Sequence, residues 1–254
     1  MARQARIKST TGIYHVMLKG IDSRNIFMDD EDKMFFMEKL KRAKETGEFK
    51  LYAFCLMDNH VHLLLKEGEE IGVSMKRITV GYVRYHNQKY GREGHLFQNR
   101  YHSEPVEDDR YLLTVSRYIH NNPLKAHMAA SQAEYRWSSY RNYLDAYHGI
   151  ITPIDAELMQ SYFNQLSDFE KFSCEDNQDH CLEVSTFVKC SDDDIKALIK
   201  ENQRYAGIMD LTKAERNECI QSIHQATGGS IRQLSRVLGI GKRIIEKAIK
   251  EYDY

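Results

Sequence analysis

The chain has 254 residues, 11% of them aromatic and only three of them proline, and a formal net charge of -1. This excludes a disordered or low-complexity chain and leaves length for one large or two ordinary domains with real cores. The near-neutral total conceals a segregation: residues 1–145 carry 23 Lys/Arg against 19 Asp/Glu, residues 146–195 carry 2 against 11, and residues 196–254 carry 11 against 7. Two mildly basic ends around an acidic middle are compatible with nucleic-acid binding at both ends. Five cysteines with no CxxC pair argue against a disulfide framework. The N-terminus leads into no apolar signal core and no apolar run approaches a membrane span, so the cytoplasm is the expected compartment and no membrane is expected as a partner.

Taken in order, Ile13 to Gly20 is rich in β-branched and aromatic residues and reads as a first strand. Asp29 to Asp32 supplies acidic residues for a helix N-terminus, and Phe35, Phe36, Leu40 and Ala43 follow at helical spacing to Gly47. A strand over Lys50–Met57, the turn chemistry of Asp58-Asn59 and a strand entered at His60 make a hairpin. Val73 to Tyr90 follows as a helix ended by Gly91. His95 to Phe97 and Ser103 to Val106 look like strand material. Asp108-Asp109 opens a helix with Leu112, Leu113, Val115 and Ile119 inward, which Asn122-Pro123 should close, since proline cannot continue a helix. The order β-α-β-β-α-β-α begins with the six elements of a ferredoxin-like sandwich and adds a helix, an α+β class. Trp137 to Tyr140 and Tyr143 should cover an edge of it.

From 146 to 195 the pattern weakens to one helix near Ala156–Phe163 and an acidic remainder, a linker or small helical insert. Lys213–Ala226, Ile231–Leu238 capped by Ser230, and Lys242–Tyr252 then read as three helices, the last two joined through Gly239-Ile240-Gly241. Two short helices joined through a glycine, the second basic, follow the helix-turn-helix pattern, which small protein-binding bundles share. The expected organisation is therefore 1–145, 146–195 and an all-α region over 196–254.

Two clusters could carry chemistry. In Cys55 to Leu65, His60 and His62 lie at i and i+2 of a strand and so share a face; they read either as part of a metal site or as two histidines on a wet strand face. In Arg117 to Asn122, Tyr118 and Asn122 lie four apart on one helical face and present a hydroxyl and an amide together. A tyrosine hydroxyl titrates near pH 10 and is a poor nucleophile while protonated.

The combination of segments Thr11–Val16, Cys55–Leu63, Gly94–Tyr101 and Tyr118–Ala126 resembles the HUH superfamily of single-strand DNA endonucleases, named for His-hydrophobe-His. Within it the chain looks most like the REP-associated tyrosine transposases, over roughly residues 5 to 145. The resemblance implies that His60 and His62 are metal ligands, that Asn122 completes the site where insertion-sequence members often carry Gln, and that Tyr118 is the nucleophile. It implies Mg2+ or Mn2+ as cofactor and a 5'-phosphotyrosine intermediate in cleavage and transfer of single-stranded or hairpin DNA, often by a homodimer. A DNA-binding regulator that keeps the fold without turnover is the alternative. Arg77, Arg84, Lys89 and Arg92 could line a DNA backbone, and His95, Arg100 and His102 could contact DNA from the matched strand region. In the C-terminal region Arg232, Lys242 and Arg243 are the candidate DNA contacts. Cys174, His180, Cys181 and Cys190 could imitate a zinc site, although their spacing is irregular.

Overall fold

In a computed structural model the protein is described over residues 6–98, 100–175, 181, 192–202, 205, 207, 208, 211–227 and 229–250. It forms two compact units, Met1–Glu183 and Val184–Tyr254. The first contains β1 (Ile13–Lys19), α1 (Asp30–Gly47), β2 (Lys50–Leu56), β3 (His60–Lys66), α2 (Ile71–Lys89), β4 (His102–Pro105), α3 (Asp109–Lys125), α4 (Tyr140–Tyr147), α5 (Glu157–Tyr162) and α6 (Leu166–Cys174). The strands make one antiparallel sheet in the order β2-β3-β1-β4.

The central strand β3 is buried on both faces: Val61, Leu63 and Leu65 point one way, His62 and Leu64 the other, and all five are shielded from water. The face that carries His62 meets α3, which packs on β2 and β3. The opposite face joins the same core as α1 and α2, which pack on each other through Phe36 and Tyr82 around Phe27. Side-chain caps open two of the helices, Asp29 accepting from Asp32 N–H and Asp108 from Tyr111 N–H.

The turn before β3 is clamped. Met57 N–H donates to His60 O at 2.9 Å to close the hairpin, Gly20 N–H donates to Asn59 O at 2.9 Å, and Ile26 and Phe27 N–H both donate to Asp58 O. Lys33 Nζ lies 2.9 Å from the Asp58 carboxylate. Gly20 ends β1 where the Arg24 carbonyl presses against its Cα, so closely that a Cβ would collide with it. His60 therefore leaves the turn with its direction set.

Three expectations are corrected. The helix carrying Tyr118 does not close at Asn122-Pro123 but runs through Pro123 to Lys125. Proline in the last turn removes a single bond, and the end is capped instead by Ala126, His127 and Met128 N–H donating to Asn122, Leu124 and Pro123 carbonyls, with His127 at φ 54°. His95–Phe97 forms no strand; it contributes one bridge, Phe97 to Gly20, and the bond from Ile21 N–H to Leu96 O. The acidic stretch holds a second helix, α6, because Leu166, Phe169 and Phe172 recur at helical spacing; Phe169 is buried against Tyr140, Tyr143 and Phe163. Ser138 and Ser139 do cover the β2 edge, Ser138 bridging Cys55 and Ser139 accepting from Phe54 N–H.

The second unit comprises α7 (Asp192–Glu201), α8 (Lys213–Thr227), α9 (Ile231–Leu238) and α10 (Lys242–Lys250). Its core is Ile195, Ile220, Ile223, Leu234, Leu238, Ile245 and Ala248. Ser230 caps α9 by accepting from Gln233 N–H, and Gly239 ends it in the left-handed region at φ 68°. No helix among the described residues is long and apolar enough to cross a membrane.

Candidate active site

The antiparallel register places Lys19 opposite His60, Met17 opposite His62 and His15 opposite Leu64. On the other side of β1, Met17 pairs with His102 and His15 with Glu104. Alternation then puts His15, Lys19, His60, His62 and His102 on one face of the sheet. Onto the His60 and His62 end of that face α3 lowers Tyr118 and Asn122.

The four residues singled out as catalytic or metal-binding meet. The His60 and His62 rings lie edge to face at 5.0 Å, and the Tyr118 ring stands edge-on to His62 at 5.6 Å. Asn122 Nδ2 donates to Tyr118 O at 2.9 Å, and its side chain is hydrogen-bonded to His60. Lys125 Nζ sits over the Tyr118 ring at 4.7 Å. The site closes within a single chain.

His15 joins them, a residue of the Thr11–Val16 segment to which sequence pattern assigns no role. Its Nε2 is 2.9 Å from His62 Nδ1, its ring stacks on His62 at 5.1 Å and 29°, and it meets the edge of Tyr118 at 6.0 Å. An imidazole at a buried alternate position of an apolar strand was the available signal, because a buried polar group needs a partner.

Burial keeps these rings neutral. Desolvation pushes His15 down to about 3 and His60 to about 4, the latter against an opposing pull from Asn122; His62 falls well below the ordinary range through burial, then through His15 and His60. A neutral imidazole has one proton and one lone pair. His60 Nδ1 is 2.6 Å from Asn59 Oδ1. The His60 ring is thus held between the side chains of Asn59 and Asn122. Two neutral imidazoles with an amide side chain beside them are a donor set that fits a divalent ion. Among the described residues no three His, Cys, Asp or Glu side chains form a metal-holding group. Of the zinc-like set, His180 and Cys190 lie outside the described residues, and Cys174 is an exposed free thiol.

Beside this site runs a cleft of about 920 Å³ lined by Arg6, Arg84, His95, Phe97, Arg100, Tyr101 and His102 among others, with no carboxylate among the described residues that line it. Arg6 lies 3.7 Å from the Tyr101 ring centre and donates to its carbonyl. Lys19 connects cleft and site: it is buried, 8% exposed, and acts electrostatically on both His60 and His102. Arg84 and Arg100 thus share one cleft with His102, whereas Arg77 is held by Glu69 at 3.0 Å and Lys89 by Asp29, Glu31 and Asp32. In the second unit Arg232, Lys242 and Arg243 are exposed, while Arg236 is bound by Asp192.

Residues 8–122 match the family model described as transposase, IS200 like. Among solved structures, a REP-associated tyrosine transposase bound to a REP hairpin shares the fold at 14% identity with a TM-score of 0.50, over 73% of this chain and all of that one. A protein described as a transposase from Deinococcus radiodurans R1 is 18% identical over 47% of this chain and 97% of its own, with a TM-score of 0.34, too slight a likeness to build on. No curated protein matches.

Proposed function

We propose, from the match of residues 8–122 to the IS200-like transposase model, that this chain is a metal-dependent single-strand DNA endonuclease and strand transferase acting on hairpin or palindromic DNA. The observation that carries the reading is the meeting of Tyr118 with His60, His62 and Asn122 on one sheet face. The sheet order and the β-α-β-β-α-β sequence support a ferredoxin-like layout with α3 as the added helix.

Tyr118 Oη attacks a backbone phosphorus, forming a 5'-phosphotyrosine bond as the P–O3' bond breaks; the phenol proton is lost and the departing 3' oxygen gains one. A phosphodiester is exchanged for a phosphodiester, so a second 3'-OH can reverse the step and join strands. His60, His62 and Asn122 would hold Mg2+ or Mn2+, which supplies Lewis-acid polarisation of a phosphate oxygen. Lys19 brings a desolvated positive charge to the same phosphate, and Arg6, Arg84, Arg100 and His102 offer a basic, aromatic-lined path for the flanking strand. Buried imidazoles stay deprotonated at neutral pH, as ligation requires.

The exposed cations Arg232, Lys242 and Arg243 on α9 and α10, with the Gly239 turn between them, support a helix-turn-helix role for the second unit in choosing the target. Because Tyr118 stands beside His62 of its own chain, a homodimer is not needed to complete the site. The test is to incubate the protein and Mn2+ with single-stranded oligonucleotides carrying a randomised hairpin and flank. A covalent protein–DNA species on a denaturing gel, resistant to heat and detergent, is expected; DNA binding without any such species favours a regulator.

A further inference from the structure

We propose that His15 is a positioning residue for the divalent ion: it accepts the Nδ1 proton of His62, fixing the tautomer that leaves the His62 Nε2 lone pair free to bind metal. The inference rests on the metal reading above and adds a residue to it.

The argument starts from a shared proton. His15 Nε2 and His62 Nδ1 are 2.9 Å apart, and one of them must donate. Both rings are buried, so neither has a water to choose for it. If His15 donates, the proton of His62 sits on Nε2 and its ligating nitrogen is blocked. If His62 donates, Nε2 is free, and the His15 proton moves to its own Nδ1, which is buried without a hydrogen-bond partner.

The two arrangements are therefore close in energy: one leaves an unmet acceptor at His15 Nδ1, the other an unmet donor there. A cation on His62 Nε2 favours only the second. Ligating histidines usually give their remaining N–H to an outer partner that orients the ring, and here that partner is a second imidazole stacked on the first at 29°. The same ring also meets Tyr118 at 6.0 Å, so the orientation of ligand and nucleophile depends on one side chain.

The test uses the metal alone, without DNA. Free Mn2+ is followed by its electron paramagnetic resonance signal during titration of the full chain. His15→Phe keeps the ring volume and removes the acceptor; His15→Gln returns an amide oxygen near the former Nε2. We expect His15→Phe to weaken Mn2+ binding by roughly 10- to 100-fold and His15→Gln to recover most of it. Unchanged binding in His15→Phe, or equal loss in both variants, overturns the proposal. If the His60→Ala and His62→Ala pair binds Mn2+ as well as the wild type, the metal reading itself fails instead. Should His15→Phe not fold, the wild-type protein loaded with diamagnetic Zn2+ answers the question. Long-range 1H–15N spectra should show His62 protonated at Nδ1, and protonation at Nε2 overturns the assignment.

Discussion

Asn122 Nδ2 donates to the carbonyl oxygen of Tyr118 at 2.9 Å, so the backbone of Tyr118 itself orients the amide that is hydrogen-bonded to His60. The bond joins residues one helical turn apart within α3. Asn122→Ala should weaken Mn2+ binding about tenfold while lowering stability by only about 1 kcal/mol, the worth of a partly buried hydrogen bond. Asn122→Asp keeps the oxygen and adds a charge, and should bind Mn2+ more tightly than wild type. Titration calorimetry of both variants checks this; tighter binding by Asn122→Ala would remove Asn122 from the ligand set.

Tyr118→Phe removes only the hydroxyl and leaves the ring against His15 and His62. The covalent adduct should vanish, with affinity for the uncleaved strand within about threefold, since one hydrogen-bonding hydroxyl contributes roughly 0.5–1 kcal/mol to binding. A surviving adduct would assign the nucleophile to another residue.

Lys19 is a sharper probe of the phosphate. Its ammonium faces His60 and His102, burial holds its pKa below the ordinary lysine value, and no carboxylate among the described residues lies within ion-pair distance of it. Lys19→Met preserves the stem and removes the charge. The rate of adduct formation should fall by about 100-fold, or about 2.7 kcal/mol of transition-state stabilisation, with Mn2+ binding unchanged or slightly improved as a like charge leaves the site. Single-turnover cleavage alongside a metal titration separates the two effects.

The cleft and the salt-bridged arginines predict different salt dependences. Arg84→Gln and Arg100→Gln should each lower the slope of log affinity against log salt by roughly 0.7 on single-stranded DNA. Arg77→Gln should leave it unchanged, because Glu69 already neutralises that guanidinium. Fluorescence anisotropy across a salt series distinguishes them, and an equal loss for Arg77→Gln would extend the DNA path along α2.

Much of this was legible from local pattern. His60 and His62 follow from strand alternation, and Tyr118 with Asn122 from helical spacing, since both periods are fixed by backbone geometry. What alternation within one strand could not reveal was register. Only the pairing of β1 with β3 brings Lys19 to His60 and His15 within reach of His62. The end of α3 is hidden from sequence for a related reason: a proline's cost depends on whether another group can cap the turn, and His127 in the left-handed region does so. Arg77, a plausible DNA contact on a charged helix face, is engaged by Glu69 from the segment preceding α2, which sequence spacing does not announce.

Away from the site, His86 predicts an acid sensitivity. It is buried on α2 between Tyr82 and Tyr90, and among the described residues neither ring nitrogen makes a well-formed hydrogen bond. Burial lowers its pKa; Arg92 and Lys89 act in the same direction, and Asp32 and the neighbouring Asn87 amide oppose them. A histidine whose folded pKa lies below its unfolded value of 6.5 costs nothing above that pH. As the pH falls below 6.5 the unfolded chain takes up the proton first, and stability is lost until the folded pKa is reached. His86→Phe keeps the aromatic contacts and removes both ring nitrogens. It should raise Tm at pH 8 slightly and at pH 5 by a few degrees more, roughly what 1 kcal/mol is worth in a domain of this size. Thermal melts at the two pH values measure the difference directly, and an equal shift at both would show that His86 is not what makes the fold acid-sensitive.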